Sequence, residues 1–127
     1  MIFINKYLID LKLNDFKINC YGNIDNNKIL FIHNNINYTF DIDKTILIKE
    51  DNNYLFTFLF KDNILILHDK IQNRDINISL LINKLEIFEK KIIINYQIEN
   101  DRFNLTLTYT EGGNYGYWKR IKNSYKK

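Results

Sequence analysis

The chain has 127 residues, a net charge of +3 at neutral pH, and 46% hydrophobic and 26% charged side chains, the size and balance of one ordinary globular domain. It contains 23 Ile, 20 Asn and 15 Lys but no Ala, Val or Pro, which excludes collagen and proline-rich linkers and argues against a helical bundle, because Ala is the strongest helix former. The apolar content excludes intrinsic disorder.

Alternation of apolar and polar residues with period two marks half-buried antiparallel strands. It begins with Tyr7, Ile9, Leu11 and Leu13 against Leu8, Asp10, Lys12 and Asn14. Phe16, Ile18 and Cys20 then alternate with Lys17, Asn19 and Tyr21. Shorter strands are predicted over 28–33, 38–42, 46–49, 54–60 and 64–67. Ile76, Ile78, Leu80 and Ile82 form the next alternating set, followed by a strand over 84–88. Leu81, Leu85 and Phe88 also fit a helical spacing, but the alternation begun at Ile76 favours strand. Ile92, Ile94, Tyr96 and Ile98 follow, and 103–110 alternates without exception. Ile78, Leu80, Ile94, Tyr96, Leu105 and Leu107 are therefore expected on buried faces. Asn and Asp cluster between the strands, where they supply the left-handed backbone that glycine supplies elsewhere.

Short antiparallel strands recurring every eight to twelve residues point to a sandwich or barrel. Sheet edges must be closed or protected, and a meander with short turns closes most easily as an up-and-down barrel. The expected fold is all-β: an antiparallel, lipocalin-like barrel of about eight to ten strands over residues 1–110. A glycine-, aromatic- and cation-containing tail, 111–127, follows it. Apolar runs are too short for a membrane span, and no basic segment followed by an apolar run opens the chain. The lone Cys20 forms no internal disulfide, which suits a reducing, cytoplasmic setting.

Catalytic signals are sparse. His33 and His68 fall at strand ends and read as solvated polar residues, without the partners a metal site needs. Ser79 and Ser124 lack a nucleophile-elbow context. Cys20 reads as a small buried hydrophobe. Asp41 and Asp43 flank Ile42 and would share a solvated strand face, and most other carboxylates sit in turns. Neither an enzyme, a cofactor nor a metal is expected, although carboxylates paired in space remain an open route to catalysis.

The tail carries Lys119, Arg120, Lys122, Lys126 and Lys127 against Glu111, so the positive charge of the whole chain resides there. Trp118, Lys119, Arg120, Lys122 and Tyr125 combine cations with aromatic rings, the ingredients of single-strand nucleic-acid binding. A solubilising terminus explains the same residues, and Tyr117 and Trp118 folding back over a barrel mouth is a third option.

Three stretches carry a resemblance. They are Tyr21-Gly22 with the following Lys28-Ile29-Leu30-Phe31-Ile32; Ile78-Ser79-Leu80-Leu81-Ile82-Asn83-Lys84-Leu85-Glu86-Ile87; and Ile92-Ile93-Ile94-Asn95-Tyr96-Gln97-Ile98 before Leu105-Thr106-Leu107-Thr108. In their order, residues 18–111 resemble the YwiB-like family of small uncharacterised bacterial proteins, which implies a calycin-type barrel and no particular activity. The expected function is a non-enzymatic cytoplasmic module, monomer or homodimer, that binds a small apolar ligand or a protein partner. The alternative is a nucleic-acid-binding accessory protein that uses the tail.

Overall fold

The computed structural model describes residues 6–112, and within them the chain turns mainly on asparagine. Seven of the ten non-glycine residues with positive φ are Asn14, Asn26, Asn27, Asn34, Asn35, Asn63 and Asn73. Two consecutive positive-φ residues, as at Asn26-Asn27 and Asn34-Asn35, are what a two-residue hairpin turn needs to match the twist of its strands.

These turns link eleven strands: β1 (Lys6–Leu13), β2 (Phe16–Asp25), β3 (Lys28–His33), β4 (Ile36–Asp41), β5 (Ile46–Glu50), β6 (Tyr54–Leu59), β7 (Ile64–Asp69), β8 (Arg74–Ser79), β9 (Leu81–Phe88), β10 (Lys91–Ile98) and β11 (Asp101–Glu111). The helical content of the described residues is one 3-10 turn, Phe60–Asp62. The strands form a single antiparallel sheet in the order β8-β7-β6-β5-β4-β3-β2-β1-β11-β10-β9. β11 returns to β1, with Leu11 opposite Leu107 and Leu13 opposite Leu105. The fold is thus a nearly closed up-and-down barrel.

The eleven strands match the eleven segments read one by one from the sequence, one more than the eight to ten expected of the barrel, and the structure moves one boundary, from Asn83 to Leu80. β8 and β9 are separated by Leu80 alone. β8 pairs with β7, and β9 pairs with β10. Leu80 still donates its N–H to the Asn63 carbonyl beside β7, and Leu81 already stands opposite Gln97 of β10. One long strand therefore crosses from one end of the sheet to the other and joins them. The alternation Ile76, Ile78, Leu80, Ile82 continues through this crossing, but its burial is uneven: Leu80 is buried, Ile78 and Ile82 are half-buried, and Ile76 is 40% exposed.

Gly22 fixes a second irregularity. A Cβ at this position would press into the Leu30 carbonyl oxygen and lie 3.0 Å from the Phe31 Cβ and 3.1 Å from Ile9. β2 can bend onto β3 only because that atom is missing. Beyond the bend, β2 and β3 share three residue pairs, Asn23–Leu30, Ile24–Ile29 and Asp25–Lys28. The earlier part of β2 pairs in register with β1 alone, and Phe16 at its start meets His33 of β3 through their rings, centroids 6.4 Å apart.

Along β1–β7, hairpin connectivity places the turns at 26–27, 42–45 and 60–63 at one end of the sheet and those at 14–15, 34–35, 51–53 and 70–73 at the other; the crossing at Leu80 then brings the 60–63 turn beside the 99–100 turn. Packing is tightest toward the first end, where Ile9, Ile29, Phe40, Phe60, Ile92 and Leu107 are essentially sealed from solvent. Aromatic rings cross the middle: Tyr96 of β10 lies 5.5 Å from Phe60, 6.0 Å from Phe58 and 5.1 Å from Phe103. The inward alternation read from the sequence holds for Leu80, Ile94, Tyr96, Leu105 and Leu107, all buried. It overstates Phe16, which is 49% exposed at the start of β2.

Candidate functional site

Below the aromatic layer, toward the 34–35 end, the interior is not filled. A cavity of about 260 Å³ remains there. Leu11 and Leu13 of β1, Leu105 of β11 and Tyr96 of β10 form one wall. Tyr38 of β4, Leu47 of β5, Phe58 of β6 and Phe16 of β2 face them. The strand register explains the grouping. Leu13 stands opposite both Phe16 and Leu105, Leu47 stands opposite Phe58, and all of these project inward.

One charged side chain lines this apolar space, Lys49. It follows Leu47 on the inward face of β5 and is paired in register with Tyr38 on one side and Phe56 on the other. Its Nζ lies 5.5 Å from the centre of the Phe56 ring, a cation–π placement that partly offsets its loss of water. The carboxylates adjoining it in the chain have other partners. Glu50 pairs with Lys70 at 2.7 Å. Asp51 accepts the backbone N–H groups of Asn53 and Tyr54, both at 2.8 Å. Those two hydrogen bonds hold its carboxyl below the usual range, and the charges of Lys49 and Lys70 add to the effect. Lys49 enters none of the three ion pairs among the described residues.

Two tyrosines flank the space. Burial pushes the Tyr96 phenol up to about 12. Burial, and then the charge of Cys20, push Tyr38 upward. Both phenols therefore remain protonated donors at neutral pH. Tyr38 is held face to face with Phe31, centroids 4.9 Å apart.

Lys49 was invisible to the alternation argument. The sequence places Ile46-Leu47-Ile48-Lys49 in a strand and assigns it no face. The structure supplies the phase: Leu47 is buried and Lys49 half-buried on one face, with Ile46 and Ile48 half-buried on the other. A cation two residues from an inward leucine was the available signal, and the short strand gave no phase to read it by.

The residues considered from sequence do not assemble into a catalytic set. His33 at the end of β3 packs edge-on against Phe16 of β2, centroids 6.4 Å apart. His68 lies on the outer face of β7, its Nδ1 2.6 Å from Asp75 Oδ1 of β8. Cys20 is half-buried, and burial together with the Asp10 charge raises its thiol, which makes it a poor nucleophile. Asp41 and Asp43 serve turns: Asp41 accepts the Lys44 N–H, and Asp43 accepts the Asn27 side-chain amide. Among the described residues no three His, Cys, Asp or Glu side chains converge as a metal site would require. No helix of the described residues is long and apolar enough to cross a membrane. Trp118, Lys119, Arg120, Lys122 and Tyr125 lie outside the described residues, as does Tyr117.

A second concavity, about 410 Å³, lies over β2, β3 and β4 where the sheet splays, bordered by Tyr21, Leu30, Ile32 and Thr39. It is open, and Tyr21 and Ile32 stand 55% and 65% exposed beside it. It has neither the enclosure nor the charge of the interior cavity. No family model, curated protein or solved structure matches the chain.

Proposed function

We propose that the barrel binds a small, mainly apolar molecule in the interior cavity at its 34–35 end, as a non-enzymatic module of the cytoplasm. The supporting observation is the cavity itself: well-packed interiors leave few voids larger than a water molecule, and this one is apolar-walled, with the half-exposed Phe16 on its rim. Its volume lies just below the ~300–1,000 Å³ of typical small-molecule pockets, so the ligand is small. At ~30 Å³ per water-sized group, about nine non-hydrogen atoms fill it. The lone, half-buried Cys20 supports a reducing compartment. Membership of the YwiB-like family belongs to the same proposal and rests on the sequence resemblance of residues 18–111.

The test is a titration of the full-length, isotopically labelled chain with 1-octanol, followed through backbone amide resonances. Saturable shifts centred on Leu13, Leu47, Phe58 and Leu105 are expected. No saturable shift, or shifts confined to the outer concavity near Tyr21 and Ile32, would overturn the reading.

A further inference from the structure

The cavity is not uniformly apolar, and its one charged residue is placed where a ligand's head group would sit. We propose that the ligand is a small carboxylate, with its apolar body among Leu11, Leu47, Phe58 and Leu105 and its anionic head on the Lys49 ammonium at the cavity mouth. The inference rests on the cavity reading above and adds the chemical class of the ligand.

Four observations carry it. First, Lys49 lies half-buried on the inward face of β5 and lines the cavity, where an anionic head group would give it a charge-assisted partner. Second, Lys49 enters no ion pair among the described residues: Glu50 is paired with Lys70, and Asp51, although it feels the Lys49 charge, is engaged by its own turn. Third, Lys49 is the penultimate residue of β5, at the end of the barrel where the cavity lies and within reach of solvent. A head group bound there keeps partial hydration while the body enters the core. Fourth, Tyr38 stands opposite Lys49 in register and lines the same cavity, so a phenolic O–H is at hand as a second donor. An ammonium and a phenol together suit a carboxylate and repel a cationic head. A neutral ligand would strip further water from Lys49 without compensation.

The experiment compares octanoate, 1-octanol and octylamine, all of about the right length, on the full chain at neutral pH and low salt. Calorimetry and amide shifts give the affinities. Octanoate is expected to bind at least about tenfold more tightly than 1-octanol, with octylamine weakest. Lys49→Met, which keeps the apolar stem, should remove the preference for octanoate over 1-octanol. Lys49→Arg should restore the preference. Equal affinity for octanoate and 1-octanol in the unmodified chain overturns the carboxylate assignment and leaves the cavity reading standing. No saturable binding of any of the three overturns both. The comparison in the unmodified chain decides the matter even if Lys49→Met fails to fold.

Discussion

Thr45 is the most constrained residue of the barrel. It is fully buried, holds a φ of 55°, and its hydroxyl has no hydrogen-bond partner among the described residues. A β-branched residue at positive φ is rare, because its Cβ crowds the backbone at a cost of ~1–2 kcal/mol. The 42–45 turn imposes that angle, with Asp41 holding the Lys44 N–H just before it. At an ordinary strand or helix position, Ala is more stable than Gly by roughly 0.5–1 kcal/mol. Here the order should invert. Thr45→Gly is expected to be about 1 kcal/mol more stable than Thr45→Ala, measured by chemical denaturation of the two variants. Ala equal to or above Gly would show that the turn relaxes. The other left-handed positions are largely asparagines and were legible as turns from sequence. Thr45 was not, because nothing in Lys44-Thr45-Ile46 marks a left-handed residue.

Within single strands, alternation predicts which face is buried far better than how deeply. In β11, Leu105 and Leu107 are sealed, while Thr106 and Thr108 are half-buried on the opposite face. Leu107→Ala should cost ~2–5 kcal/mol, and Thr106→Ala well under half of that. Equal losses in a denaturant titration would mean that the register opposite Leu11 and Ile92 is wrong. Ile76 and Ile78 carry the same alternation as Leu80, yet only Leu80 is buried. Depth is set by what lies across the barrel. Leu80 occupies the crossing between the two ends of the sheet, whereas β8 pairs with one neighbour, β7. Period two shows direction; it contains no information about the opposite wall.

For the molecule as a whole, burial of acids inside the barrel sets an alkaline limit. Cys20, Tyr38 and Tyr96 all hold their protons more tightly than the ordinary values of 9.0 for a thiol and 10.0 for a phenol, Tyr96 up to about 12. The unfolded chain therefore loses these protons first as pH rises. By linkage, stability is at its full value below about pH 9 and falls from there toward pH 12. Denaturation midpoints between pH 8 and 11.5 should show this decline, and Tyr96→Phe should flatten its upper part, above pH 10. An unchanged slope in Tyr96→Phe would mean that the phenol is hydrated through the cavity.

The sequence by itself determined that this chain is an antiparallel β-meander. Period-two patterning and Asn-rich turns are local properties, and each hairpin is specified by residues a few positions apart. It also determined most of the central inward set, from Ile94 to Leu107, because long strands define their phase clearly. Tertiary structure alone decided how the barrel closes, through a strand that changes partners at Leu80, and how closely β2 approaches β3, at the position where Gly22 leaves room for the Leu30 carbonyl. It also decided that the interior is filled by Tyr96, Phe58 and Phe60 at mid-height and empty below. The inward placement of Lys49 belongs to the same class. A cavity is the space left between side chains on β1, β2, β4, β5, β6, β10 and β11. Its existence depends on the distance between walls far apart in sequence, a quantity that no local pattern encodes.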